Sequence, residues 1–113
     1  MEKFTGYLEN GSIMYVNVGW CGHCRSARPI LEQLADQMGG AVPVYDVDGD
    51  TWKNFLEKNL GDNAPRSYPT ILYLGKDGSA IEFKEERTLQ NLLAFACLNA
   101  SQGRGEIAAC NAF

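Results

Sequence analysis

Too few cysteines are present for a disulfide scaffold: four in 113 residues, where such scaffolds devote roughly a tenth of their positions to them. Positive charge is also scarce. Ten Lys and Arg face fourteen Asp and Glu, leaving a formal net charge of -4 and none of the basic footprint of a nucleic-acid binder. No apolar run approaches the ~18 residues that cross a bilayer. Repeats and low-complexity tracts are missing, which excludes solenoids and long linkers. The opening "MEKFTGYLENGS" lacks the basic start and apolar stretch of a secretory signal. The closing "CNAF" is not an endoplasmic reticulum retention signal. The expectation is a cytoplasmic protein that contacts neither membrane nor nucleic acid.

What is there suits one globular domain with a single modest core. Hydrophobic residues make up 45% of the chain. Residues 3–9 read as a short helix ended by Asn10-Gly11. Residues 12–18, "SIMYVNV", are short, apolar and β-branched, as in a buried strand. From 21 to 38 the spacing turns helical, with Ile30, Leu31, Leu34, Ala35 and Met38 on one face and Pro29 inside. Residues 41–48 read as a second strand, 51–60 as a helix, and 69–74 and 79–83 as a hairpin around "GKDG". Thr88 caps a last helix. Strands alternating with helices imply an α/β fold with a parallel pair joined by a right-handed crossover. The boundaries are a domain over 1–99 and a flexible tail over 100–113.

Cys21 and Cys24 sit between the first long strand and its helix, at the carboxyl end of the sheet where open α/β sheets place their sites. Near a helix N-terminus, unpaired N–H groups and the dipole stabilise the Cys21 thiolate. That thiolate is the attacking species in disulfide exchange. Two intervening residues place Cys24 one turn onward, where it resolves a mixed disulfide at high effective concentration. His23 puts a polarisable ring beside the Cys21 sulfur. Stabilising the thiolate stabilises the reduced pair, which makes the disulfide a better oxidant. The plainer alternative is an exposed loop histidine.

A metal reading fails on ligand count. A structural zinc site needs four ligands, and Cys97 and Cys110 do not form a second close pair. Haem attachment needs histidine directly after the second cysteine, where Arg25 stands. No metal is expected.

Trp20-Cys21-Gly22-His23-Cys24 is identical to the active-site motif of the catalytic domains of protein disulfide isomerase, within the wider thioredoxin family. Pro29 and Tyr68-Pro69-Thr70 fall where that family carries its helix-kinking proline and its cis-proline loop. The chain resembles the family over about residues 12–98. The resemblance implies a three-layer fold with a mixed central sheet of about four strands flanked by helices, its first strand shortened or missing. It implies that Cys21 and Cys24 are catalytic and that Gly22 and His23 tune the pair. Trp20, Tyr68 and Pro69 would line the substrate surface, with half-buried packing the alternative for Trp20. Arg87 matches an arginine that approaches the second cysteine, with an exposed helix-start residue the alternative. No cofactor is implied beyond the Cys21–Cys24 disulfide. Partners would be cysteine-containing proteins and a thiol reductant or oxidant such as glutathione or a reductase. The chain would act as a monomer.

Two departures bear on mechanism. The buried acid the family carries six residues before the first cysteine is Tyr15 here, and the lysine near it falls at Val44. An apolar environment is therefore expected around Cys24, with Asp46 and Glu82 as substitute proton carriers. Cys97 reads as a buried core residue and Cys110 as a free thiol in the tail, with a bond to Cys97 or electron transfer from the main dithiol as the lesser alternatives. The functional expectation is a thiol–disulfide oxidoreductase or isomerase. A cytosolic thioredoxin-type reductase, a glutaredoxin-like enzyme and a redox-silent binding module are the rivals.

Overall fold

The computed structural model describes residues 1–100 and 107–111. Five strands form one mixed sheet: β1 (Glu2–Lys3), β2 (Ser12–Asn17), β3 (Val44–Asp48), β4 (Thr70–Leu74) and β5 (Ala80–Glu82). Their order is β1-β3-β2-β4-β5. β2 is central, parallel to β3 and antiparallel to β4. All six of its residues are buried, as expected of a strand covered on both faces. Alternation then divides the core. Ile13 and Tyr15 point to the face covered by α1 (Gly22–Met38) and α3 (Leu89–Asn99). Met14 and Val16 point to the face of α2 (Lys53–Leu60).

The α1 helix buries Cys24, Ala27, Leu31, Leu34 and Met38, a three-and-four spacing that lays one stripe on the sheet. It ends where Gly39 takes a left-handed conformation and returns its N–H to Ala35. The Thr88 hydroxyl caps α3 by accepting from the Asn91 N–H at 3.1 Å. No helix among the described residues is long and apolar enough to cross a membrane.

Three expectations are corrected. Residues 3–9 form no helix: β1 pairs with β3 as the shortened first strand of a five-stranded sheet. Phe4 follows β1 into the α2-side core, where its ring meets Trp52 edge-on at 5.0 Å. Gly6 then turns with φ +107°, and Trp52 lies 3.2 Å from where a β-carbon would stand, a conformation that interrupts helix. Cys110 is not a free thiol but is disulfide-bonded to Cys97, with Cα atoms 5.5 Å apart. Nor is the described part of the tail loose. Ile107 and Cys110 are buried against the α1 and α3 core, and Ala108–Cys110 form a 3-10 turn. The rest of the expected tail, 101–106 and 112–113, lies outside the described residues.

Candidate active site

The dithiol sits where β2 hands over to α1. Cys21 is the N-cap of that helix, in extended backbone, and its sulfur accepts the Cys24 N–H at 3.1 Å. One orphan donor of the helix end is thereby aimed at the first sulfur. The pair is disulfide-bonded, with Cα atoms 5.2 Å apart. Cys24 is the more enclosed, 3% exposed against 8% for Cys21. Val18 is buried in one cluster with the two cysteines, and Tyr68 packs against that cluster.

Around them the surface is aromatic and acidic. Trp20 is 70% exposed. Its ring stands edge-on to Tyr68, centroids 5.9 Å apart, and its Nε1 donates to Asp50 at 3.2 Å. Tyr68 enters from the loop before β4, its peptide bond to the buried Pro69 being cis. Burial raises the Tyr68 phenol above its usual value, and Asp50, Glu57 and Asp48 raise it further. Gly22 and His23 are exposed on the first turn of α1. Trp20, Cys21, Cys24 and Tyr68 thus meet at one place.

Arg87 does not join them by contact. It is exposed, and no hydrogen bond or ion pair ties it to another described residue. Its charge nevertheless reaches the Tyr15 phenol.

The expected apolar environment under Cys24 is also corrected. Tyr15 is fully buried, and its hydroxyl donates to the Cys24 carbonyl oxygen. Arg28, one turn beyond Cys24, lies over the Tyr15 ring with its guanidinium carbon 5.6 Å from the centroid. It pairs with Asp46 at 2.9 Å. Asn17 locks the pair, accepting from Arg28 at 3.1 Å and donating to Asp46 at 2.7 Å. Register explains the meeting, because Tyr15 stands beside Asp46 across β2 and β3. Burial alone would raise the Asp46 carboxyl; hydrogen bonds from Arg28 and Asn17 outweigh it and hold the carboxyl below its usual range. Burial raises the Tyr15 phenol, opposed by Arg28, raised further by Asp46, and lowered by Arg87. Tyr15 therefore stays a neutral donor. Of the two substitute proton carriers, only Asp46 shares the Tyr15 face. Glu82 aligns through Leu72 with Met14, on the α2 face.

Sequence reasoning missed Arg28, Asn17, Gly49 and Asp50. Arg28 had a signal in its four-residue spacing from Cys24. Gly49 had none: a β-carbon there would lie 2.5 Å from the Tyr68 ring. Among the described residues, no group of three or more His, Cys, Asp and Glu is placed to hold a metal.

Comparison with known proteins agrees with this arrangement. The thioredoxin family model matches residues 2–97. Thioredoxin of Bacillus subtilis is 36% identical over 78 residues, covering 66% of this chain and 70% of the relative. Protein disulfide-isomerase of Drosophila melanogaster is 34% identical over 90 residues, 79% of this chain but 16% of that protein. Among solved structures, the Trx4 domain of ERdj5 aligns with a TM-score of 0.64 at 20% identity, over 83% of this chain and 90% of that one. The J-Trx1 fragment of ERdj5 aligns at 0.64 and 20%, over 78% of this chain and 41% of that one. The sheet, the helix-capping dithiol and the family match lead to one assignment: the chain belongs to the thioredoxin family of thiol–disulfide oxidoreductases, with Cys21 and Cys24 as its Cys-x-x-Cys pair.

Proposed function

We propose that this protein forms and rearranges disulfides in cysteine-containing proteins, in the manner of a protein disulfide isomerase. The observation that carries the reading is the Cys21 sulfur at the N-cap of α1, accepting the Cys24 N–H at 3.1 Å. A thiolate is stabilised there by the helix end, and exposed His23 stands beside it in the motif. In oxidation, a substrate thiolate attacks Cys21 and the Cys21–Cys24 bond breaks, Cys24 leaving as thiolate. A second substrate thiolate then attacks the substrate sulfur of the mixed disulfide and expels the Cys21 thiolate. The substrate loses two electrons and the dithiol gains them. An external disulfide such as glutathione disulfide takes them back. In rearrangement, the Cys21 thiolate opens a substrate disulfide and is expelled when the freed substrate thiolate pairs elsewhere. The sulfurs carry the electrons, so no cofactor enters. Trp20 and Tyr68, standing edge-on to one another, offer an aromatic surface to the incoming segment, and Pro69 sets the loop that holds Tyr68 there.

Equilibration of the Cys21–Cys24 pair in glutathione buffers tests the direction. A potential near about -180 mV fits an isomerase or oxidant; one near about -270 mV fits a thioredoxin-type reductase. The first is expected. The second would make the protein a reductase, the role its thioredoxin relatives suggest.

A further inference from the structure

We propose that Tyr15 is a positioning residue for the resolving cysteine. Its hydroxyl, donated to the Cys24 carbonyl and roofed by the Arg28–Asp46 ion pair, keeps Cys24 aligned with Cys21 and links its ionisation to that pair. The inference rests on Cys21 attacking and Cys24 resolving.

Three observations converge. The Tyr15 hydroxyl bonds the one residue whose sulfur must turn back onto Cys21, and it does so from a side chain with no exposure. A buried hydroxyl held this way fixes the first turn of α1 against β2. Arg28 lies on the same helix four residues after Cys24, hence on the same face, and is held by Asp46 and Asn17 from β3 and β2. Its cation therefore has a fixed place on the side of Cys24, while its counter-charge sits on the sheet. Finally, a cleft of about 760 Å3, lined in part by Asn17, Val18, Gly19, Arg28, Asp46 and Trp52, opens on this pair. Both side chains of the pair are about a third exposed.

The charged and titratable groups facing this spot come from several elements: Arg28 and Glu32 on α1, Cys21 at its N-cap, Asp46 on β3, the amine of Met1, Tyr68 before β4 and Arg87 before α3. Asp46 is the anion among those that act on Tyr15. Removing Arg28 leaves its carboxylate uncompensated, which disfavours a second anion at Cys24. The thiolate of Cys24 then forms only at higher pH.

The test uses the full chain, reduced and mixed with glutathione disulfide, quenched in acid and followed by mass spectrometry. The Cys21 thiolate attacks the probe, giving a Cys21–glutathione mixed disulfide and releasing one glutathione. Cys24 then attacks the Cys21 sulfur, closing the protein disulfide and releasing the second. In Tyr15→Phe the first step is expected unchanged and the closure slowed about two- to tenfold, the loss of one hydrogen bond. In Arg28→Met the pH midpoint of closure is expected to rise, and Arg28→Lys to return it toward the wild-type value. Arg28 is only partly buried, so its variants decide the matter if Tyr15→Phe does not fold. Closure rates and midpoints equal to wild type, or both steps slowed by one factor, overturn the proposal. A wild-type Cys21 adduct that never closes overturns the functional reading itself.

Discussion

A single methyl group at position 49 would collide with the active site. The added carbon would stand 2.5 Å from Cε1 of Tyr68 and 3.0 Å from its Cζ, and Tyr68 packs on the dithiol and edge-on to Trp20. Gly49→Ala must therefore push the Tyr68 ring out of its place against the dithiol and Trp20 while leaving both sulfurs in place. The expected result is a KM for a protein disulfide raised about three- to tenfold, worth roughly 1 kcal/mol of binding, with the Cys21–Cys24 potential unchanged. The Trp20 fluorescence should shift with the ring. Equal KM and an unchanged spectrum would show that the added carbon is accommodated without moving the Tyr68 ring. Asp46 supports a different measurement. Its carboxyl is held below the usual range by Arg28 and Asn17 against the cost of burial. A depressed folded-state value contributes stability that is present above the unfolded pKa and lost as pH falls through the folded one. Urea melts of Asp46→Asn should therefore lie below wild type at neutral pH and converge with it in acid. The gap should be about 1 kcal/mol or less, because both partners are about a third exposed. Neither residue was conspicuous in the sequence. Gly49 looks like any turn glycine, and Asp46 was one of two candidate acids until strand register put it beside Tyr15 and Glu82 on the other face.

The elements that were legible are those whose pattern is strong and local. β2, α1, β4 and the Thr88-capped α3 follow from apolar runs, three-and-four spacing, and one cap. The dithiol was legible for the same reason, since strand, motif and helix are contiguous. β1 was not. A two-residue strand has no period, and it forms because Phe4 is drawn into a cluster with Tyr45, Trp52 and Phe55. The Arg28–Asp46–Asn17 lock was not legible either, being assembled from three separate elements. The Cys97–Cys110 bond was only the lesser alternative in the sequence because twelve residues separate the two cysteines, and nothing local brings a turn near 110 back onto α3. These two bonds should respond differently to reductant. Cys97 has no exposure and Cys110 is 2% exposed, so an incoming thiolate must first open the core. Cys21 is the more exposed cysteine of its pair, 8% against 3%, so a reductant thiolate can attack it and expel the Cys24 thiolate without opening the core. In a stepwise dithiothreitol titration with alkylation and mass mapping, Cys21 and Cys24 should be labelled first, and Cys97 and Cys110 only at reductant levels that loosen the fold. Labelling of all four in step would mean that the α3 clasp is as open as the working pair.

Across the whole molecule, the question is where the core ends. Ile107 and Cys110 belong to the same buried cluster as Ile13, Leu31, Leu34, Phe83 and Cys97, so the α1–α3 layer is closed by chain beyond residue 99. A boundary at 99 cuts that layer. Removing residues 100–113 would expose the sites Ile107 and Cys110 cover and eliminate the clasp. Burial of one such aliphatic side chain contributes about 1.5–3 kcal/mol, and a bond closing a loop of this length about 3 kcal/mol. Against a typical total of about 5–15 kcal/mol, the loss is severe. At about 4 °C per kcal/mol for a domain of this size, a chain ending at 99 should melt more than about 10 °C below the full chain. Cys110→Ser in the full chain separates the two contributions, since it keeps Ile107 in place and removes only the bond. It should fall between the two. A truncated chain that melts with the full one would show that the sheet and three helices are self-sufficient and that the turn at 108–110 merely rests on them. Because α1 carries the dithiol at one end and shares its buried cluster with this turn, the truncated chain should also lose oxidoreductase activity at a lower temperature, in step with its melting.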